Sequence, residues 1–193
     1  MKVILASKSP RRQELMKYLF DEFEVFPSLF KERNLKRGDM APFEYVIRLA
    51  EEKANEAFKR LNLSDEFVLI SCDTVVVIDD VIFGKPRSIM DAFKMLSKLQ
   101  GARHEVYTGV CIILPNKEHL KFYVRTDVYF DSMSSGDIEE YLKLSEYKDK
   151  AGAYAIQGYG SKFITKIEGC YYNVMGFPIN EIYKKLKENK IFN

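Results

Sequence analysis

The period of apolar positions changes along the chain, and each change marks an element. Val3 to Ala6 is an unbroken apolar run suited to a buried strand, and it ends at Ser7. Ser9 then stands at a helix cap with Pro10 at the first helical position, where a missing N–H costs nothing. Leu15, Met16, Leu19 and Phe20 give that helix one buried face. Phe23 to Pro27 reads as a second strand. Loop signals follow at Asn34, Gly38, Asp39 and Pro42, and then a helix with one charged side from about Phe43 to Leu61.

Phe67 to Ile78 is the strongest strand signal, continuous and rich in β-branched residues, and Asp79-Asp80 turns it into Val81-Ile82-Phe83 as a hairpin. Ser88 caps a helix that runs to Leu99 and closes at Gly101. Two strands near Glu105–Leu114 and Lys121–Phe130 turn at Pro115-Asn116. Ser134 and Asp137 have an acidic variant of capping-box spacing, which starts another helix. Glycine-rich loops, a short strand at Phe163–Ile167 and a helix from about Pro178 to Glu188 follow. Hairpins interrupt the alternation of strands and helices, so the pattern predicts one α/β unit over residues 1–193. Its sheet is mixed, twisted and flanked by helices, with a cleft.

Composition narrows the function classes. The chain has 193 residues, 47% of them hydrophobic and 30% charged, enough for a core without metal or disulfide. Thirty basic against 28 acidic residues leave a net charge of +2, too little to draw a nucleic acid or a membrane by bulk attraction, so an anion site has to be local. Cys72, Cys111 and Cys170 are odd in number and lack CxxC spacing; they read as reduced thiols in a cytoplasmic protein, packed in apolar surroundings. The N-terminal apolar run is too short for a signal peptide, and no stretch reaches the length of a membrane span. His104 and His119 are too few and too far apart for a histidine metal site or a catalytic pair, and read as surface or strand-end residues.

Four segments carry candidate chemistry. In Ser7-Lys8-Ser9-Pro10-Arg11-Arg12, two arginines sit in the first helical turn, against the helix dipole and against each other. A polyanion held at that turn removes both penalties; the plain alternative is two solvated arginines beside a serine cap. Asp73 interrupts an otherwise apolar strand, and a buried carboxylate needs a cation, a metal or a catalytic reason. A structural salt bridge is its ordinary alternative. Gly84-Lys85-Pro86 holds a lysine on a stiffened turn and is not a P-loop. Lys150 to Gly160 interleaves three glycines with Tyr154, Tyr159 and Gln157; tyrosine can stack on a base and Gln157 can offer its edge a donor and an acceptor. The same composition also serves ordinary loops.

Together these segments resemble the Maf family of nucleoside triphosphate pyrophosphatases. The matching pieces are Leu5 through Arg12, Cys72-Asp73-Thr74, Gly84-Lys85-Pro86, Tyr107-Thr108-Gly109, Asp149 through Tyr154, Ile156-Gln157-Gly158 and Gly169 through Pro178, in family order over nearly the whole chain. The resemblance implies a fold like that of the inosine-triphosphate pyrophosphatases, with two lobes around a cleft, and a homodimer. It implies cleavage of a triphosphate between its α- and β-phosphates with a divalent cation, Mg²⁺ or Mn²⁺. The family's helix lysine maps to Lys53. Its acidic pair falls on Lys31-Glu32, so only Glu32 keeps a carboxylate. The Gly-Ala-Tyr-x-Ile-Gln-Gly form resembles the dTTP/UTP branch, with a house-cleaning role linked in some relatives to septum formation and division arrest. A non-catalytic nucleotide-binding regulator and a 7-methyl-GTP pyrophosphatase are the other readings. The expected assignments are Asp73, Lys53 and Lys85 as catalytic residues and Glu32 with Asp73 as metal ligands. Ser7, Ser9, Arg11, Arg12, Thr74, Lys150, Tyr154 and Gln157 are expected to bind substrate. No stable nucleic-acid binding is expected.

Overall fold

The structure, a computed structural model, describes residues 1–61 and 66–192. Its strands are β1 (Lys2–Leu5), β2 (Glu24–Val25), β3 (Phe67–Ile78), β4 (Val81–Phe83), β5 (Arg103–Ile113), β6 (His119–Phe130) and β7 (Ile164–Glu168). The helices are α1 (Pro10–Met16), α2 (Pro42–Arg60), α3 (Ile89–Leu99), α4 (Ser135–Lys143), the single turn α5 (Tyr171–Val174) and α6 (Ile179–Glu188). The strands form one sheet in the order β2-β1-β3-β5-β6-β7, with β4 paired to β3. β1 runs parallel to β2 and β3, whereas β4 on β3 and β7 on β6 are antiparallel. The mixed sheet follows from the connections: crossovers carrying helices join the parallel strands, the two-residue Asp79-Asp80 turn makes the antiparallel β3–β4 pair, and β7 returns antiparallel to β6 after the long segment that holds α4.

The chain divides into two compact units. The first comprises Met1–Asp73, Thr108–Val124 and Gly176–Asn193; the second comprises Thr74–Tyr107 and Arg125–Met175. In the first unit, alternation along β3 sends Phe67 and Leu69 to the face that α2 covers. There they pack with Ile4, Ala6, Ala50, Ala54, Ala57, Cys111 and Ile113. The α2 side of this contact is built of alanines, so helix and sheet approach closely. Gly109 of β5 completes the approach: a Cβ there would lie 2.3 Å from the Val46 carbonyl, closer than any side chain can sit. By the same alternation Ser71 and Asp73 fall on the α2 face. In the second unit α3 packs with α4, and the Asp79-Asp80 turn has φ of 48° and 60°, the left-handed pair that a two-residue hairpin requires.

Several expectations are corrected. α1 ends at Met16, so Leu19 and Phe20 lie in the turns after it. Ser9 occupies the cap position but its hydroxyl caps nothing; its N–H instead donates to Ser7 Oγ at 3.3 Å. β2 is a two-residue strand, because only Glu24 and Val25 are in register with β1. His104 stands at the strand end, second in β5, but it is not a surface residue, being 1% exposed. The box at Ser134 and Asp137 forms both of its hydrogen bonds. Among the described residues no helix is long and apolar enough to cross a membrane.

Candidate active site

In the first unit the sequence-predicted residues converge on Asp73. The carboxylate stands at the end of the unit's stretch of β3 and is 5% exposed. Lys53, projecting from the middle of α2, meets it with a close hydrogen-bonded ion pair. The same ammonium donates to Glu32 Oε1 at 2.7 Å, from the short 3-10 turn Glu32–Asn34. One cation therefore serves two carboxylates, which answers what a charge was doing in an apolar strand. Burial pushes the Asp73 carboxyl above its ordinary range, with the Lys53 and Arg12 charges opposing the rise and Glu32 adding to it. For Lys53 burial works downward, but Asp73 and Glu32 outweigh it and hold the ammonium above its usual value. Lys53 stays charged, and the buried Asp73 carboxyl takes a proton more readily than an ordinary aspartate does.

The N-terminal loop frames this centre. Arg12 donates from Nη1 to the Cys72 carbonyl at 2.7 Å and to Ser7 Oγ at 3.3 Å, and from Nε to the Gly176 carbonyl at 2.8 Å. It ties the start of α1 to the residue just before Asp73, so part of its guanidinium serves the frame. Arg11 and Ser9 are half-buried and Lys8 is exposed. No acidic side chain occupies the first turn of α1 and no side chain caps it, which leaves that end electropositive. Tyr45, two turns before Lys53 on α2, was not singled out by the sequence. Its hydroxyl is pushed above the usual range by burial and then by the Asp73 and Glu32 charges, with Lys53 and Arg37 opposing. The i to i+8 spacing on α2 was the available signal.

The second unit gathers another set. Thr74 follows Asp73 on β3. Gly84 accepts from the Gly152 N–H at 3.2 Å, and Lys85 Nζ lies 3.8 Å from Asp149 Oδ1. Thus the Gly-Lys-Pro turn is docked on the Lys150–Gly160 loop, a juxtaposition the spacing alone did not show. Lys150 Nζ donates to the Lys148 carbonyl at 3.3 Å. Gln157 is exposed. Tyr154 goes elsewhere: it is 5% exposed, its hydroxyl is 2.8 Å from His104 Nε2, and its ring meets those of His104 and Phe130 edge-on. The exposed aromatic of this loop is Tyr159.

Cys72 and Cys111 are buried thiols whose pKa burial pushes up to about 12, so neither is a nucleophile at neutral pH. Among the described residues no three His, Cys, Asp or Glu side chains gather as a metal cage.

With this geometry in view, comparison with known proteins is specific. The chain is 43% identical over 189 residues to the dTTP/UTP pyrophosphatase of Carboxydothermus hydrogenoformans, covering 97% of this chain and 98% of that one. It is 45% identical over 193 residues to the dTTP/UTP pyrophosphatase of Clostridium perfringens strain SM101, covering 99% and 98%. Among solved structures the Ham1 protein of Staphylococcus aureus shares the fold, with a TM-score of 0.55 at 14% identity over 98% of this chain and all of that one. The family model described as Maf-like protein matches residues 2–189, a span that contains the Asp73 centre and the Gln157 loop together, and the chain belongs to the Maf family.

Proposed function

We propose that this protein hydrolyses nucleoside triphosphates, dTTP and UTP among them, to the nucleoside monophosphate and pyrophosphate. The observation that carries this reading is the buried Asp73 carboxylate held by Lys53 beside Glu32. The names of relatives at 43–45% identity support the pyrimidine preference.

Hydrolysis of a phosphoanhydride needs a water in line with the leaving group and positive charge on the phosphates. Asp73 takes the water's proton as its oxygen bonds to the α-phosphorus; the bond from that phosphorus to the α–β bridging oxygen breaks, and pyrophosphate leaves. A base with a raised pKa is better suited to this than an ordinary aspartate, because it accepts the proton more readily near neutral pH. Lys53 orients the carboxylate through its hydrogen bond. Ser9 and Arg11, at the uncapped start of α1, are assigned to the phosphates, and Arg12 and Ser7 keep that start in place. Thr74, Lys85 and Lys150 are further residues assigned to substrate, and Gln157 is assigned to the base.

Glu32 and Asp73 are hard oxygen donors converging on one point, the Lys53 ammonium. Two carboxylates completed by substrate phosphates is a donor set that suits Mg²⁺ or Mn²⁺. These two residues would hold such an ion, which would supply charge neutralisation and Lewis acidity when bound.

The test is a panel of nucleoside triphosphates with product identification for the wild type and Asp73→Asn. Pyrophosphate and dTMP from dTTP, lost in the variant while nucleotide binding persists, is the expected result. Nucleotide binding with no pyrophosphate release by the wild type would instead identify a non-catalytic binder. A preference for 7-methyl-GTP would remove the pyrimidine assignment.

A further inference from the structure

The loop that bears Gln157 is pinned from below by side chains that the reaction does not use. The Tyr141 hydroxyl accepts from the Ala155 N–H at 3.2 Å, and Tyr154 is anchored on His104. On the far side of Gln157 the Glu146 carboxylate takes two backbone donors, one on each oxygen: Tyr159 N–H to Oε1 at 3.1 Å and Gly160 N–H to Oε2 at 3.2 Å. Gly158 lies directly over it, and a Cβ at that position would fall 1.7 Å from Glu146 Oε1. The glycine is needed for space, since its backbone is extended, with φ of −119°. The exposed Gln157 therefore stands between two fixed points, Ala155 and the Tyr159-Gly160 pair, on a stretch of chain too short to move independently of them.

We propose that Glu146 is a positioning residue for nucleotide selection: its two-oxygen grip on the Tyr159 and Gly160 N–H groups sets the angle at which Gln157 meets the base of a pyrimidine triphosphate. The inference rests on the proposed function and adds to it the residue that holds the reading group. A carboxylate can accept at both oxygens. A carboxamide of the same shape can accept at only one and faces the other N–H with its own donor. Gly158→Ala reaches the same contact from above, because the atom in its way is the end of a flexible side chain and the carboxylate is displaced rather than the backbone.

The experiment measures steady-state kinetics and equilibrium binding of dTTP and dGTP for the wild type, Glu146→Gln, Gly158→Ala and the double variant. Misplacing one hydrogen-bonding group at a selective site should raise KM for dTTP about tenfold and shrink the dTTP-over-dGTP preference by a similar factor, with kcat within about threefold. The double variant should show no further loss, since both changes act on one contact. An unchanged preference in the single variants overturns the inference, as does a fall confined to kcat or to thermal stability, or effects that multiply in the double variant. Should Glu146→Gln fail to fold, Gly158→Ala, which keeps the carboxylate, decides alone. A wild type that releases no pyrophosphate from any triphosphate overturns the proposed function instead, and the binding preference then still tests Glu146.

Discussion

The Asp73 carboxylate of the first unit is held by an ion pair, whereas the Gln157 loop of the second is held by side chains that grip its backbone. Around Asp73, Lys53 spans two carboxylates as ion pairs, and Arg12 ties the Ser7 hydroxyl to the Cys72 carbonyl on the strand that carries Asp73. Around Gln157 the Glu146 carboxylate and the Tyr141 hydroxyl grip N–H groups of the loop itself, with His104 and Tyr154 fixing one end. The difference suits the roles proposed for the two regions. A group that moves a proton needs its charge tuned, which neighbouring charges do. A surface that reads a base needs its shape fixed, which backbone anchoring does without placing further charge beside the ligand.

This contrast can be broken most sharply at Asp73. Asp73→Asn should lower kcat about 10²–10⁴-fold, the usual worth of a general base, and leave the fold intact, because Lys53 retains Glu32. Pyrophosphate release and a thermal melt of one sample check both halves. Lys53→Met tests the ionic side from the other partner. It leaves Asp73 buried without its cation and should cost about 3–5 kcal/mol in a denaturant titration, beyond any loss of turnover. Gly109→Ala probes the packing that seats Lys53. The added methyl meets the Val46 backbone, so α2 must move, and overpacking of this kind costs about 1–3 kcal/mol together with activity.

His104 gives the second unit a pH signature that the first does not share. Burial pulls its pKa down to about 3, so the folded protein keeps it neutral while the unfolded chain takes up a proton near its ordinary value. The stabilisation is therefore fully present above about pH 6.5 and drains away as pH falls towards 3, at up to about 1.4 kcal/mol per pH unit. His104→Gln should flatten that acid slope in urea melts at stepped pH. The smallest effect belongs to Asp149→Asn. Its exposed pair with Lys85, at 3.8 Å, is worth under about 1 kcal/mol, and the change should leave the melt within error.

Much of this organisation was legible in the residues because it is local. The bounds of β3, the Asp79-Asp80 turn and the Ser134 box follow from period, turn chemistry and cap spacing, which act over a few neighbours. Asp73 announced itself as a charge among apolar residues. The missed features are settled at long range. Whether His104 is buried depends on Tyr154 and Phe130, far along the chain, and a lone histidine in a strand reads the same either way. The role of Glu146 depends on which backbone N–H groups are brought to it. Ser9 stands at the start of α1 without capping it, because cap spacing fixes the position of the hydroxyl's residue and not the rotamer of its side chain.

The Lys53 bridge has a consequence for the arrival of substrate. Two acids at the point proposed for the triphosphate would ordinarily present a repulsive field to a ligand carrying several negative charges. Here Lys53 and Arg12 set two positive charges against the two negative ones of Glu32 and Asp73, so the resting centre is near electrical balance. An incoming polyanion then feels the cations of the N-terminal loop rather than the acids behind them. Under the proposed function the Asp73 carboxylate is stored in masked form, and its negative charge would face a nucleotide only at close range, where geometry rather than long-range attraction decides the outcome.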